Sequence, residues 1–309
     1  MKVFVAGASG AIGRQLVPRL VAAGHEVHGM TRSPGKAELL AGLGAVPVVA
    51  DALDAGQVAE AVAGAQPDVV VHQLTAIPAS IDMRHPERSF ALTNRLRTEG
   101  TDHLLSAAQA VGVQRFVAQS NIAVYAREGS AVKSEDAPFD HGSDAIGRNA
   151  GAIAHLERAV LDATWTEGVA LRYGWFYGPG TSLEPGQEIV EMIRKRRFPI
   201  VGDGGGVWSF IHVADAAEAT VAAIEHGRRG VYNVVDDDPA RVAEWLPALA
   251  QQLGAKRPRR IPRLLARLVA GEFAVVGMTE LRGASNAKAR HELGWTPAHA
   301  TWRQGLVPA

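Results

Sequence analysis

The sequence predicts an α/β protein in which a doubly wound parallel sheet is accompanied by a smaller C-terminal lobe. Through the first half of the chain, short β-branched runs alternate with helical patterns, which is typical of parallel strands joined by crossover helices. A glycine-rich turn directly follows the first of these runs. The composition agrees with this class, because 309 residues that are 47% hydrophobic can bury one large core and a smaller second one.

Two different spacings of apolar residues predict the strands and the helices. The strands are short runs rich in β-branched residues, and we place them at Val3–Ala6, Glu26–Met30, Val46–Ala50, Asp68–His72, Arg115–Gln119, Val169–Arg172 and Gly230–Val235. The helices carry apolar residues three and four positions apart, and the main candidates are Ile12–Ala23, Gln57–Ala63, Leu92–Val111 and Ile153–Thr166.

The turn after the first strand reads GASGAIG, from Gly7 to Gly13. Gly7 permits a tight turn, Gly10 lets the backbone approach a ligand closely, and Gly13 lets the next helix pack against the strand. Free N–H groups at the start of that helix suit a pyrophosphate. The sequence therefore predicts a Rossmann-type domain that binds a nicotinamide dinucleotide. The expected binding residues of the turn are Gly7, Ser9, Gly10, Ala11, Ile12 and Gly13.

The end of the second strand distinguishes NAD from NADP. An acidic residue there would accept hydrogen bonds from the ribose 2′-hydroxyl, whereas an arginine would pair with a 2′-phosphate. The sequence has Thr31, Arg32 and Ser33 at this place, with no acid, and Lys36 follows. We therefore expect NADP(H), with NAD(H) as the alternative, and assign Arg32 and Lys36 to the 2′-phosphate.

The character of the chain changes at two places. After about Gly174 it becomes rich in aromatic residues, glycine and proline, and after Asp236 it becomes mainly helical. We assign residues 1–173 and 210–235 to the dinucleotide-binding domain. Residues 174–209 and 236–309 are expected to form a substrate-binding lobe that caps it.

Charge and composition exclude several classes of partner. Lys plus Arg and Asp plus Glu both number 32, so no net charge attracts the protein to nucleic acid or to an anionic membrane. The absence of cysteine excludes disulfides and cysteine-ligated metals. The chain has neither a signal-peptide pattern nor a run of about 18 apolar residues. We expect a cytoplasmic protein with a small-molecule substrate, no metal, and no nucleic-acid or membrane partner.

Beyond the glycine turn, a series of motifs follows in a set order. They include VVVHQLTA, QSNIAVYA, LRYGWFYGPG, VGDGGGVWSFIHVADAA and the closing NAKARHELGW. Over nearly its whole length the chain thus resembles the extended short-chain dehydrogenase/reductase superfamily, in its NAD-dependent epimerase/dehydratase group. The resemblance implies a homodimer formed through the helices at 92–111 and 153–166. It also implies cofactor contacts in three places: Asp51 and Ala52 at the adenine, Leu74, Thr75 and Ala76 on the adenosine side, and Gln119 and Tyr173 near the nicotinamide.

The catalytic residues of that family are replaced in this sequence. The family uses a tyrosine as general acid/base, a lysine four residues later that lowers the tyrosine pKa, and a serine or threonine that positions the substrate oxygen. No Tyr-x-x-x-Lys pattern occurs here. With Glu157 setting the register, Asn149 stands at the tyrosine position and Ile153 at the lysine position. Counting back from Tyr125 puts Asn121 at the serine position.

We take Asn121, Tyr125 and Asn149 as the candidate catalytic residues. The two amides can hold a carbonyl or hydroxyl group but cannot exchange a proton near neutral pH. Tyr125 is the preferred proton donor, with packing below the site as the alternative. Ser120, Arg148 and His155 are the other polar candidates in these segments, and His72 is expected to be a core histidine.

Aromatic residues dominate the predicted substrate side. Trp208 stands where many relatives carry an arginine that grips a diphosphate. With Trp175, Phe176, Tyr177 and Phe210, it predicts an aromatic-walled pocket for a ring-containing or hydrophobic carbonyl or hydroxyl substrate. We expect an NADP(H)-dependent oxidoreductase with a non-standard proton source. The alternatives are a non-redox isomerase or dehydratase that keeps the cofactor bound, and an inactive cofactor-binding regulator.

Overall fold

The computed structural model describes residues 1–78, 80–142 and 145–306, so the predicted domain ranges include a few residues that lie outside the described ones. The strands in chain order are β1 Lys2–Ala6, β2 Glu26–Thr31, β3 Val46–Val49, β4 Val69–His72, β5 Arg115–Asn121, β6 Val132–Lys133, β7 Glu167–Tyr173, β8 Trp175–Tyr177, β9 Ile200–Val201, β10 Val207–Trp208, β11 Phe210–His212, β12 Gly230–Val234, β13 Ala240–Arg241, β14 Arg260–Ile261 and β15 Gly283–Ala284. The helices are α1 Ala11–Ala22, α2 Ala37–Gly42, α3 Ala55–Ala65, α4 Pro86–Arg97, α5 Glu99–Ala110, α6 Ala145–Asp162, α7 Glu188–Arg194, α8 Val213–His226, α9 Val242–Gln252, α10 Arg263–Thr279 and α11 Ala287–Leu293. Within these ranges, no helix has the length and apolar character needed to cross a membrane.

Seven of the strands form one parallel sheet in the order β12-β7-β5-β4-β1-β2-β3. Alternate side chains of each strand point to opposite faces. On one face, Val3 and Val5 pack with α1 and α8, and on the other face Phe4 packs with α3, α5 and α6. Helices cover both faces, so the strands are apolar along most of their length. The predicted doubly wound parallel sheet is confirmed.

A separate apolar core holds the C-terminal lobe together. It contains side chains from α7, α9 and α10, with the fully buried Trp245 and Trp302 as its largest members. Short two-stranded pairs connect this lobe, among them β8 with β11 and β9 with β14. The lobe begins where β7 ends, so it lies at the carboxyl edge of the sheet, where ligands of such sheets bind.

Two predicted boundaries differ from the structure. The predicted helix Leu92–Val111 is two helices, α4 and α5, because Thr98 between them has non-helical φ and ψ of −99° and −84°. Within the range 236–309, α11 packs on the sheet rather than in the lobe, since Ala289 and Leu293 join the cluster formed by α1 and α8. This segment therefore contributes to the core of the dinucleotide domain.

The start of α1 packs closely on the turn before it. A Cβ built on Gly13 would lie 2.3 Å from the carbonyl oxygen of Ala8, far inside van der Waals contact. Gly64 is also helical, near the end of α3, but a Cβ there would meet nothing within 4 Å in the described chain. The two glycines therefore separate the effect of crowding from the effect of glycine flexibility.

We expect Gly13→Ala to lower the free energy of unfolding by about 1–3 kcal/mol, because α1 must move away from Ala8. The control Gly64→Ala should raise it by about 0.5–1 kcal/mol by removing flexibility from the unfolded chain. Urea unfolding followed by circular dichroism measures both. Equal effects of the two substitutions would contradict the close packing of α1.

Candidate functional site

A cavity of about 310 Å³ lies at the carboxyl edge of the sheet, beside the glycine turn. All the predicted cofactor residues except Tyr173 line it, namely Gly7, Ser9, Gly10, Ala11, Ile12, Gly13, Arg32, Lys36, Asp51, Ala52, Leu74, Thr75, Ala76 and Gln119. Further residues that no motif assigned to the cofactor also line it: Met30, Thr31, Ser33, Ala50, Gln73, Ile77, Leu96 and Phe176. Most of these residues are next to predicted cofactor residues in the sequence, at the ends of strands. The predicted strands therefore already indicate that they lie at the cavity.

The glycine turn leaves room for a ligand on one side. Gly7 has a φ of +91°, which glycine adopts without strain, and a Cβ there would lie 2.7 Å from the carbonyl oxygen of Gln73. A Cβ on Gly10 would instead approach only the carbonyl oxygen of Gly7, at 3.2 Å. Gly10 also begins α1 without a side-chain cap, which leaves the first N–H groups of the helix for a ligand. This arrangement fits a pyrophosphate.

Two cations stand beside the end of β2. Arg32 and Lys36 are exposed and line the cavity, and neither forms an ion pair within the described ranges. The neighbouring Thr31 is buried, with its Oγ1 3.2 Å from the Oγ of Ser9. An anionic group can therefore bind here without displacing a carboxylate from either cation.

Two glutamines, Gln73 after β4 and Gln119 in β5, line the end of the cavity away from Arg32 and Lys36. Gln73 is buried, and its Nε2 donates to the hydroxyl of Tyr173 at 3.2 Å, but its Oε1 has no hydrogen-bond partner in the described chain. A buried acceptor without a donor is costly. An amide of the ligand would satisfy it, and Phe176 offers an apolar wall beside it. Together with the turn and the two cations, these residues fit a nicotinamide dinucleotide.

Tyr173 takes a different place from the one that the resemblance implies. It is fully buried in β7 and does not line the cavity. Its hydroxyl lies 2.6 Å from Oγ1 of Thr220 and accepts the hydrogen bond from Gln73. Burial raises the pKa of Tyr173 to about 12. The Tyr173 side chain therefore holds Gln73 in position. Gln73 lines the cavity, and Tyr173 lies behind it.

The three changed catalytic positions all have partners within the protein. Asn121 caps a short turn, because its Oδ1 accepts from the backbone N–H of Ala123 at 2.7 Å. Asn149 Oδ1 accepts from Nη1 of Arg97 at 2.8 Å. Ile153 is fully buried in an apolar cluster. Each asparagine has an Nδ2 group without a partner in the described ranges, but neither side chain is among the residues that line the two cavities.

Tyr125 belongs to a buried network and does not line the cavity. Its hydroxyl donates to Oδ1 of Asn233 at 2.6 Å and accepts from Nη1 of Arg172 at 3.0 Å. Burial raises its pKa to about 12. Arg172 forms two hydrogen bonds to Glu157, at 2.8 and 2.7 Å, and Ser120 donates to the same carboxylate. This geometry favours the packing role of Tyr125 over a role as proton donor.

The remaining histidine candidates are also held by protein groups. His155 of α6 contacts Asp102 of α5, with 2.8 Å between Nε2 and Oδ1, so it lies away from the cavity. His72 is fully buried, and its Nδ1 accepts from the backbone N–H of Leu74. Its Nε2 therefore carries the proton and donates to Thr101 Oγ1 at 3.0 Å. Burial lowers the pKa of His72 to about 4, so the ring is neutral.

Of the five aromatic residues predicted to form a pocket wall, Phe176 alone is among the residues that line the two described cavities. Tyr177 and Phe210 are fully buried in the lobe core, whereas Trp175 and Trp208 are partly exposed and stack with ring centroids 4.2 Å apart. A second cavity, of about 220 Å³, opens on this side between the two lobes. Its lining is Met83, Arg84, Pro86, Glu87, Ile146, Arg148, Glu272 and Phe273.

One group in the described ranges has the composition of a metal site, namely His212, Asp215 and His299. Its hydrogen bonds indicate a structural role instead. Nδ1 of His212 accepts from the backbone N–H of Ala214, which leaves the proton on Nε2 and no free lone pair on the ring. The buried Asp215 accepts from both the backbone and the ring of His299 and so fastens the C-terminal segment to α8.

We expect Glu157→Gln to lower the free energy of unfolding by about 3–5 kcal/mol, because it leaves the buried Arg172 without its counter-charge. The double variant Glu157→Leu with Arg172→Met should recover most of this loss. The control Glu99→Gln removes an exposed pair with Arg95 and should leave the free energy of unfolding nearly unchanged, because solvent screens that pair. A loss from Glu157→Gln no larger than that of the control would contradict the network.

Comparison with known proteins agrees with this site. Residues 3–235 match the model of the NAD dependent epimerase/dehydratase family. The chain is 44% identical over 308 residues to a 3-diazoavenalumate denitrifying reductase of Streptomyces sp., covering 99% of both chains. It is 30% identical over 329 residues to a 4-hydroxy-2-methyl-3-oxo-4-farnesyl-3,4-dihydroquinoline-1-oxide ketoreductase of Stigmatella aurantiaca, covering 99% of this chain and 95% of the relative.

A solved structure shows the same architecture with a cofactor. The UDP-glucose 4-epimerase of Thermus thermophilus, in complex with NAD, superposes with a TM-score of 0.75 at 25% identity, covering 99% of this chain and 96% of that one. The sheet order, the glycine turn and the matched residues all agree with one assignment. This chain belongs to the NAD-dependent epimerase/dehydratase family, and its relatives include reductases.

Proposed function

We propose that this protein is an NADPH-dependent reductase that replaces the diazonium group of an aromatic carboxylate with hydrogen and releases dinitrogen. The observation that carries the proposal is the pairing of a dinucleotide cavity with two amides, Asn121 and Asn149, at the positions where the resemblance expects hydroxyl groups. The relative that shares 44% of its residues is named for a denitrifying reduction of a diazo compound, which supports the same substrate class.

The corner formed by Arg32 and Lys36 supports NADPH over NADH. Both side chains are free of carboxylate partners in the described ranges, and Asp51 is the one acid among the cavity-lining residues there. Its Oδ1 accepts from the backbone N–H of Leu53, so it is engaged in its own turn. The extra phosphate of NADPH would receive hydrogen bonds from two cations, whereas NADH would leave both without a partner.

The nicotinamide end of the cavity supports hydride transfer without proton transfer. Gln73 and Gln119 line it, the resemblance assigns the amides Asn121 and Asn149 to the family's catalytic positions, and Tyr125 is enclosed by its network. Bound NADPH supplies a hydride. Reduction of a carbonyl by hydride leaves an alkoxide that must also receive a proton, and an amide cannot supply one near neutral pH.

An aryl diazonium ion is a hydride acceptor that needs no proton. When Ar–N₂⁺ gains a hydride, the C–N bond breaks, a C–H bond forms, dinitrogen leaves, and NADPH becomes NADP⁺. The chain then has only to orient the two partners and exclude water. Phe273 lines the second cavity and offers an aromatic face to a planar, electron-poor ring, and the stacked Trp175 and Trp208 pack against the same apolar cluster.

We expect Arg32→Ala to weaken NADPH binding about tenfold or more, because a charge-assisted hydrogen bond to the 2′-phosphate is lost. NADH binding should change less than about twofold. Fluorescence titration of both nucleotides measures the difference, and Arg19→Ala, which removes an arginine of α1 that pairs with Glu218, is the control. Equal weakening of NADPH and NADH by Arg32→Ala would contradict the NADPH assignment.

We expect the purified protein to convert diazotised 3-aminocinnamate to cinnamate, with one NADPH oxidised for each cinnamate formed. Cinnamaldehyde, a carbonyl compound of similar shape, should be reduced with a kcat/KM lower by about 100-fold or more, since no general acid serves it. Tyr125→Phe should keep kcat for the diazonium substrate within about threefold, because its hydroxyl does not contact the reaction. Liquid chromatography with a protein-free control measures the products.

Four results would overturn this function in different ways. Preferred reduction of cinnamaldehyde would indicate a ketoreductase, and substrate conversion without net NADPH oxidation would indicate the isomerase or dehydratase alternative. Nucleotide binding without conversion of either compound would indicate a regulator. A large loss of kcat in a stably folded Tyr125→Phe variant would restore that tyrosine as the proton donor.

A further inference from the structure

Arg97 is a buried cation without a counter-charge. It is the last residue of α4, its exposed fraction is 5%, and it forms no ion pair within the described ranges. Nη1 donates to Asn149 at 2.8 Å and more weakly to Asn94 at 3.5 Å, while Nε and Nη2 have no partner in that part of the chain. Charged side chains are rarely buried unless they are paired.

A second buried arginine, Arg172, shows which partners a structural arginine has in this protein. Arg172 is as deeply buried as Arg97, but Glu157 neutralises it and the hydroxyl of Tyr125 and the carbonyl of Glu135 accept its remaining bonds. Burial lowers the pKa of Arg97 to about 10, so it is still charged at neutral pH. The nearest titratable ring, His72, is neutral and is fully bonded to other groups. Nothing described inside the protein balances the charge of Arg97.

Arg97 lines neither cavity itself, but residues next to it line both. Its chain neighbour Leu96 lines the cofactor cavity. Its partner Asn149 follows Arg148, which lines the second cavity together with Ile146. The guanidinium is therefore adjacent, along the chain and through its bond to Asn149, to segments that line both cavities.

We propose that Arg97, held in position by Asn149, binds the anionic oxygen of the substrate. The planar guanidinium matches a carboxylate with two parallel hydrogen bonds, and Nε and Nη2 form one free edge of this kind. The inference rests on the proposed function for the identity of the aromatic ring, and it names the group of that substrate which the protein recognises. A phenolate oxygen has the same charge and would use the same donors.

This role predicts an unusual combination of effects for Arg97→Met. Removal of an unpaired buried charge should leave the melting temperature unchanged or raise it, because the desolvation cost disappears. NADPH binding should change less than about twofold, and the affinity for cinnamate, in the presence of NADP⁺, should fall about tenfold or more. Arg97→Lys should give an intermediate affinity, since it keeps the charge but loses the planar edge.

Three probes identify the oxygen that Arg97 binds, with Arg158→Met, an exposed arginine of α6, as the control variant. Calorimetry compares cinnamate, its methyl ester and 4-nitrophenolate. If Arg97→Met loses affinity for cinnamate alone, Arg97 binds a carboxylate. If it loses affinity for both cinnamate and 4-nitrophenolate, Arg97 binds any anionic oxygen. Its affinity for the ester should be unaffected. Unchanged affinity for both anions would overturn the inference.

A lower melting temperature together with lost NADPH binding would also overturn the inference, because it would make Arg97 structural. These outcomes are independent of the diazonium assay. If cinnamate binding depends on Arg97 while the diazonium compound is not reduced, the anion site stands and the proposed reaction fails. If the compound is reduced equally well by Arg97→Met, the reaction stands and the anion site fails.

Discussion

The contact between helix α1 and the turn that precedes it sets the geometry of the whole site. Because Gly13 has no Cβ, the helix can begin against the carbonyl of Ala8, and its N-terminal N–H groups then face the open side of Gly10. Gly7 likewise brings the turn against the backbone of Gln73, the residue that directly follows β4. The phosphate end and the nicotinamide end of the cavity are therefore linked through one tightly packed stretch of backbone.

The same edge of the sheet holds two buried arginines with opposite surroundings. Arg172 is fully satisfied by Glu157, Tyr125 and a backbone carbonyl, and it stabilises the ends of β5, β7 and β12. Arg97 has an amide partner and spare donors. In the related enzymes implied by the resemblance, a lysine on the active-site helix supplies the positive charge at the reaction site. By the same resemblance the corresponding position is Ile153, which is buried here, and Arg97 of α4 bonds to Asn149, one helical turn before it.

The sequence predicts those parts of the site that depend on local backbone rules. The glycine turn, the strand ends and the cations after β2 are all recognisable because short motifs specify them. The burial of Tyr125 and Tyr173 and the break at Thr98 were not predictable in this way, because each depends on contacts with residues far away along the chain or on a single non-helical residue. For Arg97 the sequence offers one signal, because it follows Thr93 by four residues on the buried face of α4. Its lack of a counter-charge, however, becomes apparent only from the packing of α4 against α6, which supplies Asn149 and no acidic partner among the described residues.

The proton balance of the reaction distinguishes transfer of a hydride alone from transfer of a hydride together with a proton. In weakly buffered solution, a pH indicator reports protons taken up while NADPH is oxidised in the presence of diazotised 3-aminocinnamate. Our account predicts conversion to cinnamate with no proton uptake, because hydride alone replaces dinitrogen and the carboxylate stays ionised. Uptake of one proton for each NADPH oxidised would show that the site supplies a proton with the hydride, and it would contradict the account.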